Sequence, residues 1–274
     1  MLTITKEMET VILEKKGKIG ILTLNRPTKL NALNDDILND LYAGMVELEQ
    51  DDEVRVIIIK GAGKAFCAGH DLSPREKPFV TVSDWRGHAK HSNRLMFSIW
   101  DSRKPVVAQI HGYCLGGGCD FAIVCDFTYA SEETQIGEPE IQFNSGPTFG
   151  IMPYILGMKK TKELLLTGDR ISAGKAEQIG LITKCVPTSE LDAEVMSLAK
   201  KLVKIPVPAM RLNKEAINRS YEIAGFRSSV HYGENIFATI LMSETPESAQ
   251  FYEIANKEGL AAAFKWRDSY FENQ

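Results

Sequence analysis

The chain has 274 residues, 44% hydrophobic and 25% charged, with a net charge of −4 and a pI near 5.8. That is the composition of an ordinary globular protein able to bury a large core, and it excludes a nucleic-acid partner held by charge. No run reaches the ~18 apolar residues that a bilayer span needs, and the first residues lack the charged-then-apolar pattern of a signal peptide. Five cysteines with no CxxC pair fit a reducing compartment, so a cytoplasmic protein with no membrane or nucleic-acid partner is expected.

Val11 to Lys16 and Lys18 to Asn25 flank Gly17 and predict a hairpin. Asn25-Arg26-Pro27 stops the second strand, and Asn31-Ala32-Leu33-Asn34 reads as the approach to a helix N-cap. Ile37, Leu38, Leu41, Met45 and Leu48 recur at helical spacing and predict a helix over 35–50. Val54 to Lys60 is a β-branched run of the kind buried in parallel sheets, which implies a right-handed strand–helix–strand crossover. The loop 61–72 that follows is no nucleotide site. Phe66 stands where a dinucleotide fingerprint needs its third glycine, and Ala65 where a P-loop needs Ser or Thr. Residues 73–83 read as a surface loop, with Asp84 capping a helix from Trp85 to Trp100. His88 and His91 lie three apart on that helix, but with no third ligand at workable spacing they do not support a metal site.

Residues 105–126 are the stretch around which the rest is organised. A short buried strand ends at Gly112, and Gly116-Gly117-Gly118 opens an apolar run, Phe121 to Val124, that reads as a helix. Glycine costs roughly 1 kcal/mol relative to alanine in a helix interior. Three together make sense where something must lie close against bare backbone. First-turn N–H groups lack intrahelical partners and carry partial positive charge, so they can hold a carbonyl or anionic oxygen. Asp120 places a carboxylate beside them. Taken alone, the stretch reads equally as a packing turn with a capping acid.

Phe127 to Ala130 predicts another strand, 136–141 a turn bearing acids, and 149–156, 159–167 and 173–179 short helices, the last closed by Gly180. Leu181 to Val186 is a further strand. Beyond 188 the pattern is nearly all helical, with helices near 209–224, 227–242, 246–257 and 259–267. A soft boundary near 200 divides an α/β core, 1–200, from a helical region, 201–274, of a kind that often serves subunit contacts.

Asn25-Arg26-Pro27…Asn31-Ala32-Leu33, Ala65-Phe66-Cys67-Ala68-Gly69-His70-Asp71-Leu72 and His111-Gly112…Gly116-Gly117-Gly118-Cys119-Asp120 together resemble the crotonase, or enoyl-CoA hydratase/isomerase, family. Glu138-Pro139-Glu140-Ile141 and the segment from Leu166 to Leu181 are similar to further family landmarks, in order and at family-like spacing. The resemblance implies an α/β fold, a spiral of ββα turns with C-terminal helices that assemble a homotrimer or a dimer of trimers. It implies an acyl-CoA thioester substrate and no cofactor or metal, coenzyme A being part of the substrate. By position it implies an oxyanion hole from the amides of His70 and Gly117, and Asp120 and Glu140 as the acid–base pair. It implies coenzyme contacts at Lys29, Leu30, Ala68, Asp71, Leu72, Phe264 and Arg267. Asp120 is one methylene shorter than the glutamate of family hydratases. Some dienoyl-CoA isomerases of the family also carry Asp there, together with a further acid where Thr148 stands. Hydration of a 2-enoyl-CoA is therefore the expected activity. Double-bond isomerisation, thioester hydrolysis and an inactive scaffold are the alternatives.

Overall fold

The computed structural model describes residues 3–75 and 77–272. β1 (Thr3–Glu7), β2 (Val11–Lys16) and β3 (Ile19–Leu24) form an antiparallel meander. β1 has no counterpart among the sequence expectations, since its one large apolar residue, Ile4, is exposed and gives no alternation. α1 (Asp35–Gln50) occupies the predicted span, and its N-cap Asn34 accepts from the Ile37 amide at 3.1 Å. β4 (Val56–Gly61) then returns parallel to β3.

α2 (Val82–Trp100) starts earlier than expected, and its N-cap is Thr81 rather than Asp84. Asp84 stands at N3, where its carboxylate accepts from the Thr81 amide while its own amide donates to Thr81 Oγ1. Both residues have capping chemistry and form a reciprocal box, so side-chain type alone does not say which sits outside the helix.

β5 (Val106–Ile110), β6 (Tyr113–Leu115), α3 (Gly117–Ile123), β7 (Phe127–Ser131) and β8 (Gln135–Gly137) follow. After them come α4 (Met152–Thr167), β9 (Ile171–Ser172), α5 (Ala173–Gln178), β10 (Lys184–Val186) and α6 (Leu191–Val203). One seven-stranded sheet runs β1-β2-β3-β4-β5-β7-β10, and β6, β8 and β9 make a small second sheet whose strands are too short to show a period. α4 merges the two helices expected at 149–156 and 159–167. It starts only at Met152, and Gly157, at φ 69° and ψ 173°, breaks it where the gap was expected. Leu181 and Ile182 are buried but lie outside β10, which is shorter than the apolar run.

The parallel strands are covered on both faces, and alternate residues serve opposite cores. Leu22, Leu24, Ile57, Ile59, Val106 and Ala108 join the α1 and α2 side. Ile19, Ile21, Val56, Ile58 and Val107 meet Leu191, Val195, Ala199 and Leu202 of α6.

α7 (Val207–Ile223), α8 (Phe226–Leu241), α9 (Pro246–Glu258) and α10 (Leu260–Glu272) complete the chain. None of the described helices is long and apolar enough to cross a membrane. α7 is bolted to the core by Lys214, whose buried ammonium donates to Asp126 Oδ2 at 2.7 Å and to the Lys104 carbonyl at 3.1 Å. Asp126 in turn accepts from the Val106 amide. Removing one partner of such a pair strands the other, so Lys214→Met is expected to cost roughly 3 kcal/mol, the lower end of the range because Asp126 keeps some solvent. Urea unfolding measures this, and a loss under about 1 kcal/mol would mean the pair contributes little. α9 and α10 fold back so that Phe251, Ala263 and Phe264 pack with Phe143 and Leu72.

Candidate active site

The site grows from glycines that let separate segments touch. Gly112 turns the chain at φ 59°, and a Cβ there would fall 2.0 Å from the Lys64 carbonyl oxygen. At the entrance to α3 each glycine of the triplet faces a different neighbour. A Cβ on Gly116 would lie 1.8 Å from Glu140 Oε1, one on Gly117 2.8 Å from His70 Nε2, and one on Gly118 2.5 Å from the Cys67 carbonyl oxygen.

The loop through Gly69 and His70 is held from both sides. The Phe66 and Cys67 amides donate to the His111 and Tyr113 carbonyls, the Leu115 amide to Cys67, and the Ala68 amide to Leu30. Buried Asn31 donates to the Ala62 and Ala65 carbonyls, so the Asn-Arg-Pro…Asn segment acts as a strut under this loop. Flanking His70, the Gly69 carbonyl accepts from Leu33 and the Asp71 amide donates to Leu33. The His70 amide itself engages no backbone acceptor among the described residues. The Gly117 amide, at the first position of α3, has no acceptor within the helix and faces the Glu140 carboxyl. The two amides lie on adjoining segments, since a Cβ on Gly69 would sit 3.6 Å from the Gly117 nitrogen.

Three carboxyl groups gather beside them. Asp120 is buried and accepts from the Phe149 amide at 3.1 Å, and burial pushes its pKa up to about 7. Burial also raises Glu140, and the charge of Asp120 adds to the effect. Glu138 is 2% exposed. It is raised well above the ordinary glutamate value by burial first, then by the charges of Asp120 and Glu140. Among the described residues no donor reaches its oxygens in ordinary hydrogen-bond geometry, and its polar neighbours include the Cys119 thiol and Glu140. Three acids in so dry a place share protons, which keeps a proton donor available at neutral pH.

Glu138 is the functional candidate that sequence reasoning passed over. Its signal was the Glu-Pro-Glu motif itself, with Glu138 just ahead of the 3₁₀ turn Pro139–Phe143 and Glu140 inside it. Between the unfolded pKa near 4.3 and the raised folded value, the native state holds more protons, so this group destabilises as pH rises through that window. Glu138→Gln is therefore expected to raise the melting temperature by roughly 2–4 °C at pH 8 and to give no gain at pH 4. Thermal melts at both values check it, and a fall at pH 8 would show that ionised Glu138 has a stabilising partner.

His70 and His88 pack with ring centroids 5.0 Å apart, and burial lowers His70 to about 4 and His88 to about 2, leaving both neutral. His91 turns elsewhere, to Asn39 Oδ1 at 3.0 Å. Lys29 is exposed at the end of a 3₁₀ turn, Leu30 follows in left-handed conformation at φ 50°, and Ala68 is half-buried. Asp71 pairs with Arg26 at 3.0 Å. Leu72 meets Phe264 in the Phe143 cluster, and buried Arg267 lies 5.0 Å from the Phe264 ring centroid and bonds to Asp268. The structure thus draws the residues at 29–30 and 68–72 along the edge of one loop and brings the C-terminal pair to its Leu72 end.

Main-chain donors unused by helix or sheet, beside raised carboxyls, define a class of site that can hold a developing oxyanion and move protons next to it. A family model described as enoyl-CoA hydratase/isomerase matches residues 14–258. A probable enoyl-CoA hydratase of Rhizobium meliloti (strain 1021) is 33% identical over 97% of this chain and 99% of its own length. A probable mitochondrial enoyl-CoA hydratase of Dictyostelium discoideum is 38% identical over 80% of this chain and 78% of its own. The crystal structure of an enoyl-CoA hydratase/isomerase from Xanthobacter autotrophicus Py2 superposes with a TM-score of 0.92 at 33% identity, covering 96% of this chain and 99% of that one. The chain belongs to the enoyl-CoA hydratase/isomerase family, and its fold is the family's α/β fold with a C-terminal helical region.

Proposed function

We propose that this enzyme reversibly adds water across the double bond of a 2-enoyl-CoA thioester. The observation that carries the reading is the meeting of the Gly117 amide, Asp120 and Glu140 at the entrance of α3, with the His70 amide on the adjoining loop. In this reading the thioester oxygen lies between the two amides. Asp120 orients water and takes its proton as the oxygen bonds to C3. Electron density moves to the thioester oxygen as an enolate, where the amides stabilise it. Glu140 delivers a proton to C2, and the enolate collapses to the 3-hydroxyacyl thioester. The carboxyls and amides complete this chemistry, with coenzyme A entering only as part of the substrate.

The coenzyme would run along Lys29, Leu30, Ala68, Asp71 and Leu72 toward Phe264 and Arg267, an arrangement supported by the packing of Leu72 with Phe264. Exposed apolar residues on α7 and α8, among them Leu212, Ile217, Ile223 and Tyr232, support residues 201–274 as the assembly region of a homotrimer or a dimer of trimers, apart from the catalytic core at 1–200. Five free cysteines agree with residence in the cytoplasm.

The test is incubation with crotonyl-CoA, following loss of the conjugated absorbance. No hydration at high enzyme, with migration of a 3-enoyl double bond, would make it an isomerase. Thr148 supplies no acid at the position where dienoyl-CoA isomerases have one. Release of free coenzyme A would indicate hydrolysis, against which stands the Cys67 thiol, pushed up to about 12 by burial and so a poor nucleophile.

A further inference from the structure

Near the carboxyls are several buried polar atoms that the hydration chemistry does not use. Ser92 is 0% exposed and its hydroxyl has no partner among the described residues. Several hydroxyls elsewhere in the helices turn back to a carbonyl, as Ser98 does to Leu95, Thr161 to Gly157 and Thr239 to Asn235. One turn before Ser92, His88 Nδ1 is likewise unpartnered, and its ring abuts that of His70, which overlies Gly117. Asn93, 1% exposed, uses its amide nitrogen on the Thr148 carbonyl at 3.0 Å and on Glu234 Oε1 at 3.1 Å. With both donors committed, the amide orientation is fixed and Oδ1 is left without a donor. The Thr148 hydroxyl, also 1% exposed, is unpartnered, and the next residue, Phe149, binds Asp120 through its amide. The four residues thus lie between His70, which overlies Gly117, and Phe149, which binds Asp120: His88, Ser92 and Asn93 follow on one helix, and Asn93 bonds Thr148. Buried polar groups are nearly always satisfied, and several orphans on neighbouring residues point to a ligand that completes them.

The chemistry of the orphans narrows that ligand. Asn93 Oδ1 can only accept, so a ketone does not serve it. Ser92 and Thr148 can donate or accept, and a neutral histidine offers either tautomer at Nδ1. Asp120, held by the Phe149 amide, and Glu234, held by Asn93, stand beside these groups and offer a second carboxylate no cationic partner. Resting on the enoyl-CoA reading above, we infer that the acyl end of this site recognises a chain bearing a hydroxyl group, held among His88, Ser92, Asn93 and Thr148, rather than a plain hydrocarbon chain.

Calorimetric binding of saturated thioesters tests this without turnover, comparing 4-hydroxybutyryl-CoA with butyryl-CoA and 5-hydroxypentanoyl-CoA with pentanoyl-CoA. At least one hydroxylated thioester is expected to bind tenfold or more tighter than its parent, with that ratio falling toward one in Ser92→Ala and in Thr148→Val, both close in shape to the residues they replace. Equal affinities in the unaltered protein would overturn the inference, as would tightest binding of succinyl-CoA or a ratio that survives both substitutions. Failure to hydrate crotonyl-CoA while the hydroxyl preference holds would sink the hydratase reading alone. Failure to bind any thioester would sink both.

Discussion

Glu140→Gln is expected to lower kcat for crotonyl-CoA hydration by roughly 10²–10⁴-fold, the range for a positioned acid–base group, with little change in thioester affinity. Glutamine has nearly the same shape, so it still fills the space left by the absent Cβ of Gly116, where Glu140 Oε1 would lie 1.8 Å from such an atom. What it lacks is the transferable proton. The Glu140 carboxyl is raised by burial and by Asp120, so at neutral pH it is poised to give or take one. The variant should fold normally, because an amide in place of a buried acid removes a group that would otherwise resist ionisation. Steady-state hydration kinetics together with calorimetric binding of butyryl-CoA separate the two effects. A fall of less than tenfold in kcat would remove Glu140 from the proton-transfer role. A matching loss in affinity would instead assign it to binding.

Gly116→Ala should be more damaging than its size suggests. The position has φ 55°, strained for any residue with a side chain, and the new methyl would occupy the place of the Glu140 carboxyl. Relief requires Glu140 to swing away or the start of α3 to unwind. The first course loses the acid, and the second turns the Gly117 amide out of line. Either way kcat/KM is expected to drop by about 10³-fold or more. Gly87, in the middle of α2, is the control, since a Cβ there would meet nothing within 4 Å. Gly87→Ala should keep activity and gain up to about 1 kcal/mol of stability. Equal activity in both variants would show that the entrance of α3 tolerates a side chain and has no catalytic geometry to protect.

The glycine-rich entrance of α3 was legible because its pattern is local. Glycines next to an apolar helical run, with an acid one step inside, suit exposed amides beside a carboxylate as well as a packing turn, and α1 was legible because five apolar residues share one helical face. The small sheet of β6, β8 and β9 was not, because two- and three-residue strands carry no period. Asp84 was misplaced as a cap because Thr81 and Asp84 complete each other across the first turn.

By itself the sequence determined that the chain forms an α/β core with a helical tail, that backbone is bared at 116–118, and which family the motifs resemble. Tertiary structure alone decided that Glu140 presses against Gly116, that Glu138 joins the two expected acids, and that the Ser92 and Thr148 hydroxyls and Asn93 Oδ1 are buried without partners among the described residues. The reason is that desolvation and pairing depend on segments distant in the chain, such as α2, the turn at 148 and α8. A residue's identity carries its capacity to ionise or to bond, but only its neighbours in space set whether that capacity is met.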